Sequence, residues 1–286
     1  MKNIKYIFQF FSIIFIFSIY KLLGLRLSSY FSSIIFKCLG PYFKSKIVIK
    51  NNLSIAFPNI NNHKKSEIIK KMWSNYGKIF AEYMYIKKFR YGSLNDNIKV
   101  ENQEILNQIK KDSSPVIFIS GHFDNFELMA MHIEKSGINL SVIYRPLNNK
   151  FLNPIMEKIR KRYICKNQIK KGSSGTRKLL KHFKLGNSIA LMIDQRVSEG
   201  IRTSFFSKTA LTTTIPAQFV KKFKSKIVPI YIERTNGNNF NLKIYDPIKF
   251  SDGATIEAIT FRLNQILEKM IIKNPDQWIW THNRWK

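Results

Sequence analysis

Apolar and polar positions along the chain switch repeatedly between helical and strand periods. Residues 7–20 are almost wholly apolar, broken by Gln9, Ser12 and Ser18, and a second apolar piece covers 27–39. From 61 to 88, Ile68, Ile69, Met72, Trp73, Tyr76, Ile79, Phe80 and Tyr83 recur at the spacing of one helix or a helix pair. A short apolar run at 115–119 reads as a buried strand, which Ser120-Gly121 ends. Asp124 or Asn125 is then placed to cap a helix carrying Leu128, Met129, Met131, His132 and Ile133. Strands follow at 139–144 and 188–193, with helices near 151–163, 176–183 and 215–223. Residues 227–233 and 240–245 flank Asn236-Gly237, a hairpin signal, and 255–272 closes the chain as an amphipathic helix. Alternating β and α elements imply an α/β fold, a mixed, mostly parallel sheet flanked by helices, behind an N-terminal hydrophobic membrane-anchor helix.

The anchor has three forms open to it. As a helix, 7–20 is about 21 Å long, short of the ~30 Å hydrocarbon core, and extension to Leu25 with Lys21 snorkelling reaches ~28 Å. A spanning helix, a hairpin dipping into one leaflet and a surface helix all fit. No Ala-x-Ala site follows the run, which disfavours a cleaved signal peptide. If the helix spans, Lys21, Arg26, Lys37, Lys44 and Lys46 outnumber Lys2 and Lys5 and put the body in the cytoplasm.

Charge sharpens this picture. Of 286 residues, 48 are basic and 18 acidic, a net charge of +30. Coding bias explains lysine over arginine but not the shortage of acids. The basic residues match no nucleic-acid-binding fingerprint and are spread along the chain. An anionic membrane surface or an acidic protein partner suits them better. Cys38 and Cys165 show neither metal spacing nor a disulfide framework, so reduced thiols are expected.

His122 and Glu127 lie between the C-terminal end of a strand and the first turn of a helix, the crevice where open α/β sheets bind ligands. Five residues on one helix separate side chains by roughly 140°. They meet only if His122 is in the loop and Glu127 in the first turn. There, an ionised Glu127 would orient His122 as a general base for a hydroxyl nucleophile. On spacing alone, a polar loop with an incidental histidine fits equally well. No Gly-x-Ser-x-Gly elbow is present, which argues against a serine hydrolase. Arg145 ends a strand, where a guanidinium can hold phosphate, or it is a surface residue before a turn. Arg177 opens a helix behind Gly172-Ser-Ser-Gly175, a phosphate cradle or a flexible loop. Asp194-Gln195 ends the strand at 188–193. Asp194 pairs with Arg145 or Arg177, orients substrate, or forms a structural salt bridge. A metal site at His122, Asp124 and Glu127 lacks further ligands.

The residues 121–127, Gly-His-Phe-Asp-Asn-Phe-Glu, resemble the Gly-His-Phe-Gly-Asn-Trp-Glu signature of the late acyltransferases of lipid A biosynthesis. That family belongs to the lysophospholipid acyltransferase group, whose other branches usually carry His-x4-Asp. Tyr144-Arg145-Pro146-Leu147, the stretch from Gly186 to Asp194-Gln195, Phe205-Phe206 with 212–216, and the end from Trp278 to Lys286 resemble its further motifs in order. Asp124, Phe126, Ser207 and Asn283 depart from a usual Gly, Trp, Gly and Arg. The resemblance implies an anchor over 1–45 and an acyltransferase domain over 46–286. It implies His122 and Glu127 as catalytic residues; Arg145, Arg177, Asp194 and Gln195 are the candidate substrate contacts. It also implies an acyl-carrier protein as donor, a lipid A precursor hydroxyl as acceptor, and the cytoplasmic face of a Gram-negative inner membrane. No cofactor or metal is required. The same chemistry on a lysophospholipid or another glycolipid, and a non-catalytic anchored protein for anionic partners, are the alternatives.

Overall fold

The computed structural model describes residues 2–286. Among them the elements run α1 (Lys2–Phe43), α2 (Lys46–Ala56), α3 (Asn62–Glu82), α4 (Ile86–Tyr91), β1 (Ile98–Glu101), α5 (Gln103–Asp112), β2 (Ile117–Ser120), α6 (Glu127–Lys135), β3 (Leu140–Tyr144), α7 (Leu152–Tyr163), β4 (Asn167–Lys170), α8 (Ser173–Lys184), β5 (Ser188–Met192), β6 (Ile201–Phe205), β7 (Lys208–Thr212), α9 (Ile215–Phe223), β8 (Ile227–Arg234), β9 (Phe240–Ile244) and α10 (Ile256–Lys273).

Seven strands form one sheet in the order β1-β9-β8-β2-β5-β3-β4. Its pairings are parallel except β8 with β9, the hairpin expected around Asn236-Gly237. The sheet is thus mixed and mostly parallel, as the alternating pattern implies. β2 lies at its middle with all four residues buried. Each of Ile117, Phe118 and Ile119 gives about 1.5–3 kcal/mol on burial, which fixes this strand as the centre. β6 and β7 form a separate hairpin whose turn residues, Phe206 and Ser207, have φ of 52° and 56°.

The stretch expected as helix over 61–88 divides. Asn61 caps α3 by accepting from the Lys64 backbone N–H at 2.8 Å, and a 3-10 turn at Tyr83–Tyr85 separates α3 from α4. α6 begins at Glu127 without a side-chain cap. Asp124, expected as one of two possible caps, points elsewhere, because Arg234 draws its carboxylate into a buried ion pair. α1 breaks at Gly24, where φ is 76° and ψ 168°. Its second half packs on α3.

Candidate active site

Sheet register brings the first two residues together. Ser120 of β2 stands opposite Met192 of the parallel neighbour β5. His122 and Asp194 each lie two residues further on, so equal offsets place them side by side at the C-terminal edge of the sheet. Asp194 Oδ1 lies 2.8 Å from His122 Nδ1, and Oδ2 accepts from the His122 backbone N–H at 2.9 Å. Trp278 Nε1 donates to the same Oδ2 at 2.8 Å. Trp278 comes from the C-terminal segment, which bridges to Phe123. Gly121 allows the close approach, since a Cβ there would stand 3.3 Å from the Asp194 carboxylate and 3.0 Å from the Phe123 ring.

Burial favours a protonated Asp194, but the His122 ring, its backbone N–H and the Trp278 indole outweigh it and hold the carboxyl at about 2. Burial likewise disfavours the His122 imidazolium. The Asp194 charge and hydrogen bond, then Glu127, outweigh that and raise the pKa above 6.5. An ionised Asp194 accepts the Nδ1 proton and leaves the Nε2 lone pair open. The His122 side chain is 20% exposed, so the ring is reachable. Phe126 braces it edge-on at 4.8 Å, and Gln195 Nε2 lies 3.5 Å from Nδ1.

Glu127 is buried in the first turn of α6. Arg160 of α7 takes its carboxylate: Nε donates to Oε1 at 2.8 Å, and a second guanidinium nitrogen reaches the same oxygen. The orienting contact expected from Glu127 is therefore made by Asp194, while Glu127 acts on the ring through its charge. Asp194 in turn does not pair with Arg145 or Arg177, because His122 and Trp278 occupy its oxygens. Arg145 is exposed just beyond β3, and Arg177 is exposed on α8, which follows β4. Both thus lie toward the edge that carries His122. Among the described residues, no three His, Cys, Asp or Glu side chains converge as metal ligands.

Sequence reasoning missed Arg160, since nothing local marks it among the basic residues of α7. It also missed the cluster behind the motif. Arg234 Nη2 donates to Asp124 Oδ1 at 2.6 Å, Nη1 to Glu82 Oε1 at 2.5 Å, and Asn125 Nδ2 to Glu82 Oε2 at 2.9 Å. The C-terminal segment acts as a clamp. The fully buried Arg284 donates to the Leu211 carbonyl at 2.5 Å and Thr212 Oγ1 at 2.6 Å, and Trp285 stacks on Phe205 at 5.5 Å. Burial brings the Arg284 pKa down to about 10.

The family model for bacterial lipid A biosynthesis acyltransferases matches residues 1–286. The chain belongs to this family. It is 25% identical over 244 residues to a lipid A biosynthesis acyltransferase of Haemophilus influenzae, covering 84% of this chain and 76% of that one. It is 22% identical over 247 residues to the lipid A biosynthesis lauroyltransferase of Escherichia coli (84% and 78%). It is 20% identical over 251 residues to the palmitoleoyltransferase of the same organism (86% and 80%). In this member of the lipid A acyltransferases, His122 is hydrogen-bonded to Asp194, and Glu127 to Arg160 of α7.

Proposed function

We propose that this acyltransferase moves a fatty acyl group from an acyl-carrier-protein thioester to a hydroxyl of a lipid A precursor. The reaction would run at the cytoplasmic face of a Gram-negative inner membrane. The observation that carries the reading is the His122–Asp194 pair in a chain of this family, with Nδ1 engaged and Nε2 open. His122 Nε2 takes the acceptor's proton as its oxygen attacks the thioester carbonyl carbon. A C–O bond forms, the tetrahedral oxyanion collapses, and the C–S bond breaks. The imidazolium returns its proton to the departing thiolate, so atoms and charge balance without cofactor or metal.

Asp194 keeps the ring in one tautomer and stabilises the imidazolium, the part a carboxylate plays in a catalytic triad. Glu127 adds a second negative charge beside it, and Arg160 holds Glu127 in place. Arg145 and Arg177 suit the phosphates of the acceptor, and Gln195 lies on the Nδ1 side of the ring, beside Asp194. The basic surface suits an acidic carrier protein, and the exposed apolar residues of α1 suit membrane attachment. Mass spectrometry of lipid A from cells lacking the gene tests the reading. One acyl chain should be missing, should return with the wild-type gene and should not return with His122→Ala. Lipid A unchanged by the deletion would overturn it.

A further inference from the structure

α1 uses its faces as a helix in hydrocarbon does. Before Gly24, one stripe leans on the body along its whole length. The Tyr6 carbonyl accepts from Asn149 Nδ2 at 2.8 Å, Phe10 meets Phe151 at 6.2 Å, Phe17 meets Phe80 at 4.9 Å, and the Tyr20 carbonyl accepts from the Tyr85 hydroxyl. The opposite stripe, Ile4, Phe8, Phe11, Phe15, Ile19 and Leu22, is exposed. After Gly24 the polarity is inverted relative to a helix in water. Ser28, Ser29, Ser32 and Ser33 are buried, while Leu27, Tyr30, Phe31, Ile34 and Leu39 are exposed. Close packing at Gly77 of α3 enforces this, because a Cβ there would stand 2.3 Å from the Ser32 carbonyl oxygen. Small residues facing protein and large apolar ones facing outward is the arrangement of helices packed in lipid.

The two halves also fold back on one another. Phe17 and Phe36, about 28 Å apart on a straight helix, both reach Phe80, at 4.9 and 5.5 Å. The break at Gly24 is internally satisfied. Ser28 Oγ lies 2.8 Å from the Tyr20 carbonyl and 2.6 Å from that of Gly24. Such satisfaction is what irregular backbone needs in an apolar medium. Charge identifies the medium further: no Asp or Glu precedes Glu67, while Lys5, Lys21, Arg26, Lys37, Lys44 and Lys46 are exposed. That composition complements an anionic lipid surface.

We infer that α1 does not cross the membrane but is a bent wedge seated in one anionic leaflet, with its N-terminus on the same side as the body. The inference rests on the membrane reading above. The contact line of its first half starts at Asn149, between β3 and the α7 that carries Arg160. The wedge therefore adjoins the elements that build the candidate site, and the leaflet's acyl layer lies beside them.

The test uses the full chain with single cysteines, Asn3→Cys, Phe15→Cys and Lys44→Cys, each in a Cys38→Ser background; Cys165 is buried. A membrane-impermeant maleimide is applied to sealed spheroplasts and to inside-out inner-membrane vesicles. Positions 3 and 44 should be unlabelled in spheroplasts and labelled in vesicles, and position 15 labelled in neither. Labelling of position 3 in spheroplasts with position 44 protected would mean a spanning helix and would overturn the inference. So would ready labelling of position 15 in vesicles, or its oxidation to a disulfide-linked dimer, since water or a second copy would then cover the stripe. Those outcomes leave membrane attachment standing. A chain that stays soluble when the vesicles are pelleted removes the membrane reading itself.

Discussion

Asp124, two residues after His122 in the chain, and Asp194, hydrogen-bonded to it, are both buried carboxylates, and they are neutralised in different ways. Asp124 shares Arg234 with Glu82, two acids on one cation, and burial followed by Glu82 raises its pKa against the pull of that arginine. Asp194 meets an imidazole and an indole, and its pKa falls to about 2. A guanidinium is charged at every working pH, so the first cluster is a fixed strut. An imidazole gains and loses its proton near neutrality, so the second is a pair able to do proton transfer. The partner, more than burial, decides which buried acid can serve chemistry.

The largest expected effect comes from breaking the strut. Arg234→Met leaves Glu82 and Asp124 buried without a cation, and should cost about 3–5 kcal/mol of stability. Chemical denaturation measures this, and an unchanged midpoint would erase the contrast. Asp194→Asn should do the reverse. It keeps shape but lets the ring turn over, and kcat should fall roughly 10²–10⁴-fold, with a smaller loss of stability than Arg234→Met gives.

The pH profile sharpens the same contrast. As the proposed base, His122 must be neutral to accept a proton, and its pKa is raised, so the acid limb of kcat/KM should lie above 6.5. Asp194→Asn removes the charge that raises it, and the limb should move to lower pH. For stability the signs run oppositely for the two partners. His122, with its folded pKa raised, contributes below about 6.5, and this is lost as pH rises through the folded value. Asp194, with its folded pKa lowered, contributes above about 3.9, and this is lost as pH falls toward about 2. The pair should therefore stabilise most between about 4 and 6.5.

A smaller effect separates ion pairing from backbone strain. Asp124 and Ser207 both have positive φ, 34° and 56°, where glycine is at ease. Only Asp124 carries an ion pair. Asp124→Gly should lower stability by about 1–3 kcal/mol, and Ser207→Gly should raise it by about 1 kcal/mol. Thermal melts of the two variants check the opposite signs.

Much of the frame was legible because it is local. The run at 115–119, the strand at 188–193, the helix at 215–223 and the hairpin around Asn236-Gly237 each carry their own period or turn signal. The unread strands carry weaker ones. β1 is short and alternates polar residues, and β4 reads Asn167-Gln-Ile-Lys170; both are sheet edges, where exposure removes the apolar signature. The β6–β7 turn needs two positive φ angles and fills them with Phe206-Ser207 instead of the usual Asn-Gly. In the site, His122 and Asp194 were each visible as strand-end residues. Their bond depends on which strand lies beside β2, a non-local fact. Glu127 was assigned to His122 by proximity in sequence, whereas α7 delivers Arg160 to it across space.

In the proposed reaction His122, held by Asp194, is the base of an acyl transfer. Single-turnover kinetics of purified wild-type protein and His122→Ala, with an acyl-carrier-protein thioester and a lipid A precursor, address it most directly. A loss of roughly 10²–10⁴-fold in the rate of ester formation, in a protein that remains folded, is the predicted result. A His122→Ala protein that keeps more than about a tenth of the wild-type rate would contradict it.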